Sequence, residues 1–108
     1  MATILVDLDG TLLPLDAWNP VFAEVCKAIA ERAGAAPDEV WRRAREKNLI
    51  LMRRLDWRAF DWQQLFDAVA EELGAGRAPS VLEALHRHLP RFRPADGALE
   101  ALRELRAM

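Results

Sequence analysis

The sequence predicts an α/β chain, one short strand followed by helices, and three observations predict it. Residues 3–8, Thr-Ile-Leu-Val-Asp-Leu, form a continuous apolar run with β-branched members up to an acidic end. A strand buried on both faces of a parallel sheet reads this way. Gly10 and Pro14 break the run, and beyond them apolar residues recur at helical spacing. The β-branched residues after Thr11 stand singly inside helical patterns, so no second strand is visible. A lone strand leaves N–H and C=O groups unpaired along both edges. Residues 3–8 are therefore expected to pair with another chain or with strands beyond Met108. The final helix reaches Met108 with no C-cap glycine, which favours the second. The chain reads as truncated.

Each helix has a start signal joined to an apolar stripe. The first is expected over 19–33, with Asn19 as N-cap, Pro20 at its first position, and Phe22, Val25, Cys26, Ile29 and Ala33 inward. Gly34 ends it. The second, over 37–55, turns Trp41, Ala44, Asn48, Leu51 and Leu55 to one side. Asp61 and Gln64 open a third, over 61–73, with Trp62, Leu65, Phe66, Val69 and Leu73 inward. Ser80 and Glu83 open a fourth, over 80–89, which buries Val81, Leu82, Leu85 and Leu89 before Pro90. The last begins near Asp96-Gly97 and uses Leu99, Leu102 and Leu105. There is no internal repeat.

Composition narrows the function classes. With 108 residues, 52% hydrophobic and 30% charged, the chain has room for one modest core and is too apolar for disorder. Its net charge of −2 supplies no field for nucleic acid or anionic lipid. The longest uncharged stretch, Ala17 to Ala23, is far short of a membrane span. Asp7 and Asp9 interrupt the only apolar N-terminal run and no basic residue precedes it, so no secretory signal is expected. The single cysteine, Cys26, cannot form an internal disulfide. A soluble, cytoplasmic protein is expected. The sequence leaves its oligomeric state open.

The segment that carries chemistry is Ile4-Leu5-Val6-Asp7-Leu8-Asp9-Gly10-Thr11-Leu12. On a strand, side chains at i and i+2 share a face, so Asp7 and Asp9 project together where the strand ends, the end where open α/β sheets bind ligands. Gly10 lets the backbone turn away there. Paired carboxylates repel unless a cation or proton intervenes, which makes Mg²⁺ a natural guest. A calcium loop counted from Asp7 would need glycine and glutamate where Leu12 and Trp18 stand, so that reading fails.

Asp-Leu-Asp-Gly-Thr-Leu after an apolar strand resembles the first signature motif of the haloacid dehalogenase (HAD) superfamily. Residues Asp16 to Pro90 resemble the helical, C1-type cap that many members insert after the first strand. Arg93-Pro94-Ala95-Asp96-Gly97 and the helix after it resemble the return into the core. The resemblance implies a HAD-like Rossmannoid core represented by its first strand and catalytic loop (1–15), a helical cap (16–90) and a return helix (91–108). It implies Asp7 as the nucleophile that forms an aspartyl-phosphate. Asp9 would be the general acid and then base, and Asp7 and Asp9 the ligands of Mg²⁺. The dehalogenase branch lacks an acid at the position of Asp9, so the implied reaction is Mg²⁺-dependent hydrolysis of a small phosphorylated metabolite. The family's later Ser or Thr, its lysine and its last acidic motif have no counterpart here. Lys27 and Lys47 fall in the cap, so the catalytic set is incomplete and this chain is expected to be inactive alone. The alternatives are a non-catalytic helical interaction module with a vestigial motif and, more weakly, a haloacid dehalogenase.

Other signals have plainer readings. Residues 41–58 carry seven basic and two acidic side chains, and residues 1–40 carry a charge of −5. A solvated face or an acidic neighbour explains the basic stretch more readily than anion steering. His86 and His88, at i, i+2, point to different sides of a helix and are read as surface residues, and Cys26 as core. The four tryptophans are read as packing, with Trp18 and Asn19 as candidate substrate contacts.

Overall fold

The structure, a computed structural model, describes residues 3, 5, 9, 12–14 and 16–108. Their regular elements, in chain order, are α1 (Asn19–Ala33), α2 (Pro37–Arg53), a 3₁₀ turn (Trp57–Phe60), α3 (Trp62–Glu72), α4 (Val81–His88), a second 3₁₀ turn (Leu89–Arg91) and α5 (Ala98–Ala107). Capping sets several of these starts. Asp61 Oδ1 accepts the Gln64 N–H at 3.2 Å and Ser80 Oγ the Glu83 N–H at 3.1 Å, each satisfying a donor that a first turn would leave unpaired. At the first helix the expectation needs correcting. Asn19 lies inside α1, and Trp18 takes the cap position with no side-chain cap bond. Gly34 closes α1 at φ 67°, a left-handed conformation that glycine adopts without strain.

α1 is the centre of the bundle and packs against α2, α3 and α4. Val21, Val25, Cys26, Ile29 and Ala30 of α1 meet Val40 and Ala44 of α2, Phe66, Val69 and Ala70 of α3, and Ala84 of α4. An alanine from each helix keeps the axes close while the branched residues and Phe66 fill the space between them. Asn48 is the one buried polar residue among the described residues, at 2% exposure. Its Nδ2 donates to the Ala59 carbonyl at 2.8 Å and its Oδ1 accepts from Arg45 Nη1 at 2.6 Å. Its burial is thus compensated on both sides of the amide, and α2 is tied to the 57–60 turn.

The expected α/β fold is not what the chain shows. All regular structure among the described residues is helical, and the only β-type pairing is an isolated bridge between Asp9 and Leu13. Most of the expected strand 3–8 lies outside the described residues. Leu5, which is described, is 93% exposed, the opposite of burial on both faces. The physical reason is pairing: no second strand among the described residues offers its hydrogen-bonding edge, so an apolar run alone has nothing to be buried against. Three stripes also differ from their expected registers. α2 ends two residues early, and Leu55, at φ 55°, is 95% exposed. α4 turns Ala84 rather than Leu82 or Leu89 inward, and Leu99 and Leu102 of α5 are left 52% and 36% exposed.

Charged side chains line α2 in pairs. Glu39 accepts from Arg42 at 2.6 Å and from Arg43 at 2.9 Å, Arg42 also meets Glu46, and Arg43 and Lys47 both reach Glu72 of α3. Arg42, Arg43 and Lys47 of the basic stretch are thus matched by acid on their own helix and its neighbour. Hydrogen bonds from Arg42 and then Arg43 hold the Glu39 carboxyl down to about 2, and the Arg58 guanidinium does the same for Asp56. Among the described residues no helix is long and apolar enough to cross a membrane.

Two expectations follow. Phe66→Ala should cost about 3–5 kcal/mol through the cavity it leaves, and Asn48→Ala about 1–3 kcal/mol by orphaning the Ala59 carbonyl, both read by urea denaturation. Glu39 binds its proton less readily folded than unfolded, so its contribution is full above the ordinary glutamate range and disappears as pH falls toward about 2. Thermal melts from pH 6 to pH 2 should show stability falling through that window, and Glu39→Gln should remove part of the fall.

Candidate functional site

Where α1, α2, α3 and α4 meet the motif segment, the bundle leaves a cavity of about 720 Å³. Trp18, Asn19 and Phe22 reach it from the start of α1, Trp41 and Arg45 from α2, and Phe60 from the 3₁₀ turn. The first residues of α3 and the apolar side chains of α4 complete the wall, and Asp9 joins it from the motif. Its carboxylate is oriented by Trp18, whose Nε1 donates to Oδ1 at 3.0 Å. Since Trp18 also stacks on Phe22, with centroids 6.0 Å apart, the carboxylate is coupled to the aromatic wall through a single indole.

The wall itself is a set of contacting rings. Trp41 and Trp62 stack with centroids 5.6 Å and planes 18° apart. Phe22 touches both, at 5.6 Å and 4.8 Å, and the buried Phe66 lies behind Phe22 and Trp62 at 5.8 Å and 5.9 Å. Gln63 fixes the α3–α4 side, with Oε1 accepting the Val81 N–H at 2.7 Å and Nε2 donating to the Pro79 carbonyl at 3.1 Å. Arg45 is the only basic residue on the cavity wall among the described residues, facing a lining that includes the carboxylates of Asp9 and Asp61.

Of the two expected catalytic residues, Asp9 lines the cavity, and Asp7 lies outside the described residues. Both candidate substrate contacts, Trp18 and Asn19, line the cavity as well. Neither Lys27 nor Lys47 does. Among the described residues no three His, Cys, Asp or Glu side chains converge as a metal site would require. Cys26 is in the core, and burial pushes its thiol up to about 11, which leaves it un-ionised and unreactive at neutral pH. His88 departs from its surface reading. Its side chain is only 15% exposed, and Nε2 stands 3.4 Å from Glu24 Oε1 beside the closer Glu24–Arg87 pair.

The aromatic wall, and Arg45 as its cation rather than part of a solvated face, are what the sequence did not single out as a site. Their signal was present in the tryptophan content and in Trp41, Arg45 and Asn48 at helical spacing. A stripe of aromatic residues looks the same whether its outer face meets another helix or a cavity. No family model matches the chain, and neither do any curated protein or any solved structure.

Proposed function

We propose that this chain carries the phosphoryl-transfer residues and helical cap of a HAD-like phosphatase that acts on a small phosphorylated metabolite in the cytoplasm. One observation carries the reading: Asp9, second acid of the Asp-Leu-Asp-Gly-Thr-Leu motif, lines the aromatic-walled cavity of the bundle. A second supports it. The Ala95 N–H donates to the Leu12 carbonyl at 2.7 Å, so the helical unit starts and finishes at neighbouring points, as a cap inserted after a catalytic loop must.

In this reading an Asp7 carboxylate oxygen attacks phosphorus and the ester P–O bond breaks. Asp9 donates its proton to the departing oxygen. The Asp9 carboxylate then takes a proton from water as that water's oxygen attacks the aspartyl-phosphate, which frees inorganic phosphate and restores Asp7. Trp18 orients the Asp9 carboxylate for both transfers, and a carboxylate has acceptor capacity left after one such bond. Oxygen donors suit a hard cation. The Asp7 carboxylate and the Asp9 backbone carbonyl would hold Mg²⁺ with water in the other positions, and such a loosely held ion binds weakly. When bound it would offset charge on the transferring phosphoryl group.

The experiment is mass spectrometry of the chain after incubation with Mg²⁺ and acetyl phosphate or small phosphomonoesters, with acid quenching. One phosphoryl group is expected on the peptide containing Asp7. Asp7→Asn should abolish it, and Asp9→Asn should prolong it by slowing hydrolysis. Steady-state phosphate release should be very slow, because no lysine lines the cavity and losing one electrostatic partner typically costs about 10²–10³ in rate. Rapid turnover, or phosphorylation that survives Asp7→Asn, would overturn the proposal.

A further inference from the structure

The cavity also bears on which phosphorylated compound the site accepts. Its volume of about 720 Å³ is that of a small-molecule site. The surface it offers is unusual for a sugar or polyol phosphate. Trp41 is 37% exposed and Phe60 71% exposed, although both line a concave wall where a monomer gains by covering them. The Trp41 and Trp62 rings are stacked on each other and backed by Phe22 and the fully buried Phe66. Rigid flat faces of this kind cost little entropy on binding and accept another flat group by extending the stack. Hydroxyl groups laid against them would lose water without gaining partners.

Charge supplies the second half. Arg45 gives one N–H to Asn48 Oδ1 at 2.6 Å, and Asn48 is itself anchored to Ala59. That bond pins the guanidinium while leaving it further donors for an anion. On a wall that also carries the Asp9 and Asp61 carboxylates, this pinned cation is the place where an anionic group gains. Beside the preformed aromatic stack, it matches a ligand that is planar at one end and anionic at the other.

We infer that the cavity binds an aromatic phosphomonoester, its ring on the Trp41–Trp62 wall and its phosphate within reach of Arg45. This inference rests on the phosphoryl-transfer reading above and narrows its substrate class. Isothermal titration calorimetry of the full chain with Mg²⁺ tests it, using 1-naphthyl phosphate, 1-naphthol and glycerol 2-phosphate. Naphthyl phosphate should bind at least tenfold more tightly than glycerol phosphate. Trp41→Ala should erase that preference, Trp41→Phe should retain most of it, and Phe60→Ala, which removes an exposed ring, should weaken it. Arg45→Gln should weaken naphthyl phosphate and leave naphthol unchanged. Equal affinity for the two phosphates, or a preference that survives Trp41→Ala, would overturn the aromatic assignment and leave the phosphatase reading standing. Naphthol binding as tightly as naphthyl phosphate would show that phosphate is not recognised, and would overturn both.

Discussion

The contact on which the rest of the structure depends is the one Phe22 makes with its neighbours. It touches Trp18, Trp41, Trp62 and Phe66, all within 6.0 Å between centroids. On one side of it lies the close-packed core of Val21, Val25, Ile29 and Phe66. On the other lies the cavity. One layer of rings therefore finishes the core and floors the site. A wall that is also a core layer is held to core packing density, so its geometry is set before any ligand arrives.

Polar groups in the bundle follow from that arrangement. An amide buried as deeply as Asn48 is tolerated only because α2 brings Arg45 to one end of it and the 57–60 turn brings Ala59 to the other. The same amide thus stabilises the turn that presents Phe60 and holds Arg45, the one cation on the cavity wall among the described residues. Elsewhere on α2, Arg42, Arg43 and Lys47 are taken up by Glu39, Glu46 and Glu72. Arg45 stands out because its bonded partner is a neutral amide, so its charge remains available to the cavity.

Helix existence was legible because its signals are local. Asp61, Ser80, Gly34 and Pro37 act within one turn of themselves, and each marks the helix boundary it was read to mark within a residue or so. Asn19 misled because Pro20 fits either of the first two helical positions, and Asn19 itself became the first residue of α1. The inward faces were less legible. Leu82 and Leu85 look alike in sequence, and it is the small Ala84 that lets α4 approach α1. The α/β expectation failed because an apolar run states only that a segment can be buried, whereas Leu5 is exposed and no partner strand stands among the described residues. The site was half legible: the motif pointed to Asp9, whereas its neighbours come from four helices whose packing no local pattern encodes.

The Leu12–Ala95 backbone bond and the Trp18–Phe92 edge contact, at 5.8 Å, clasp the start of the helical unit to its finish. Trp18 is in both the clasp and the site: its ring meets Phe22 and Phe92, and its N–H meets Asp9. A carboxylate bonded only to loop backbone would be free to move with the loop. Bonded to an indole seated between α1 and the 92–95 segment, it takes its position from the helices. The helices' packing thereby sets where the Asp9 carboxylate stands relative to the Trp41–Trp62 wall, and any change that unseats Trp18 would displace carboxylate and wall together.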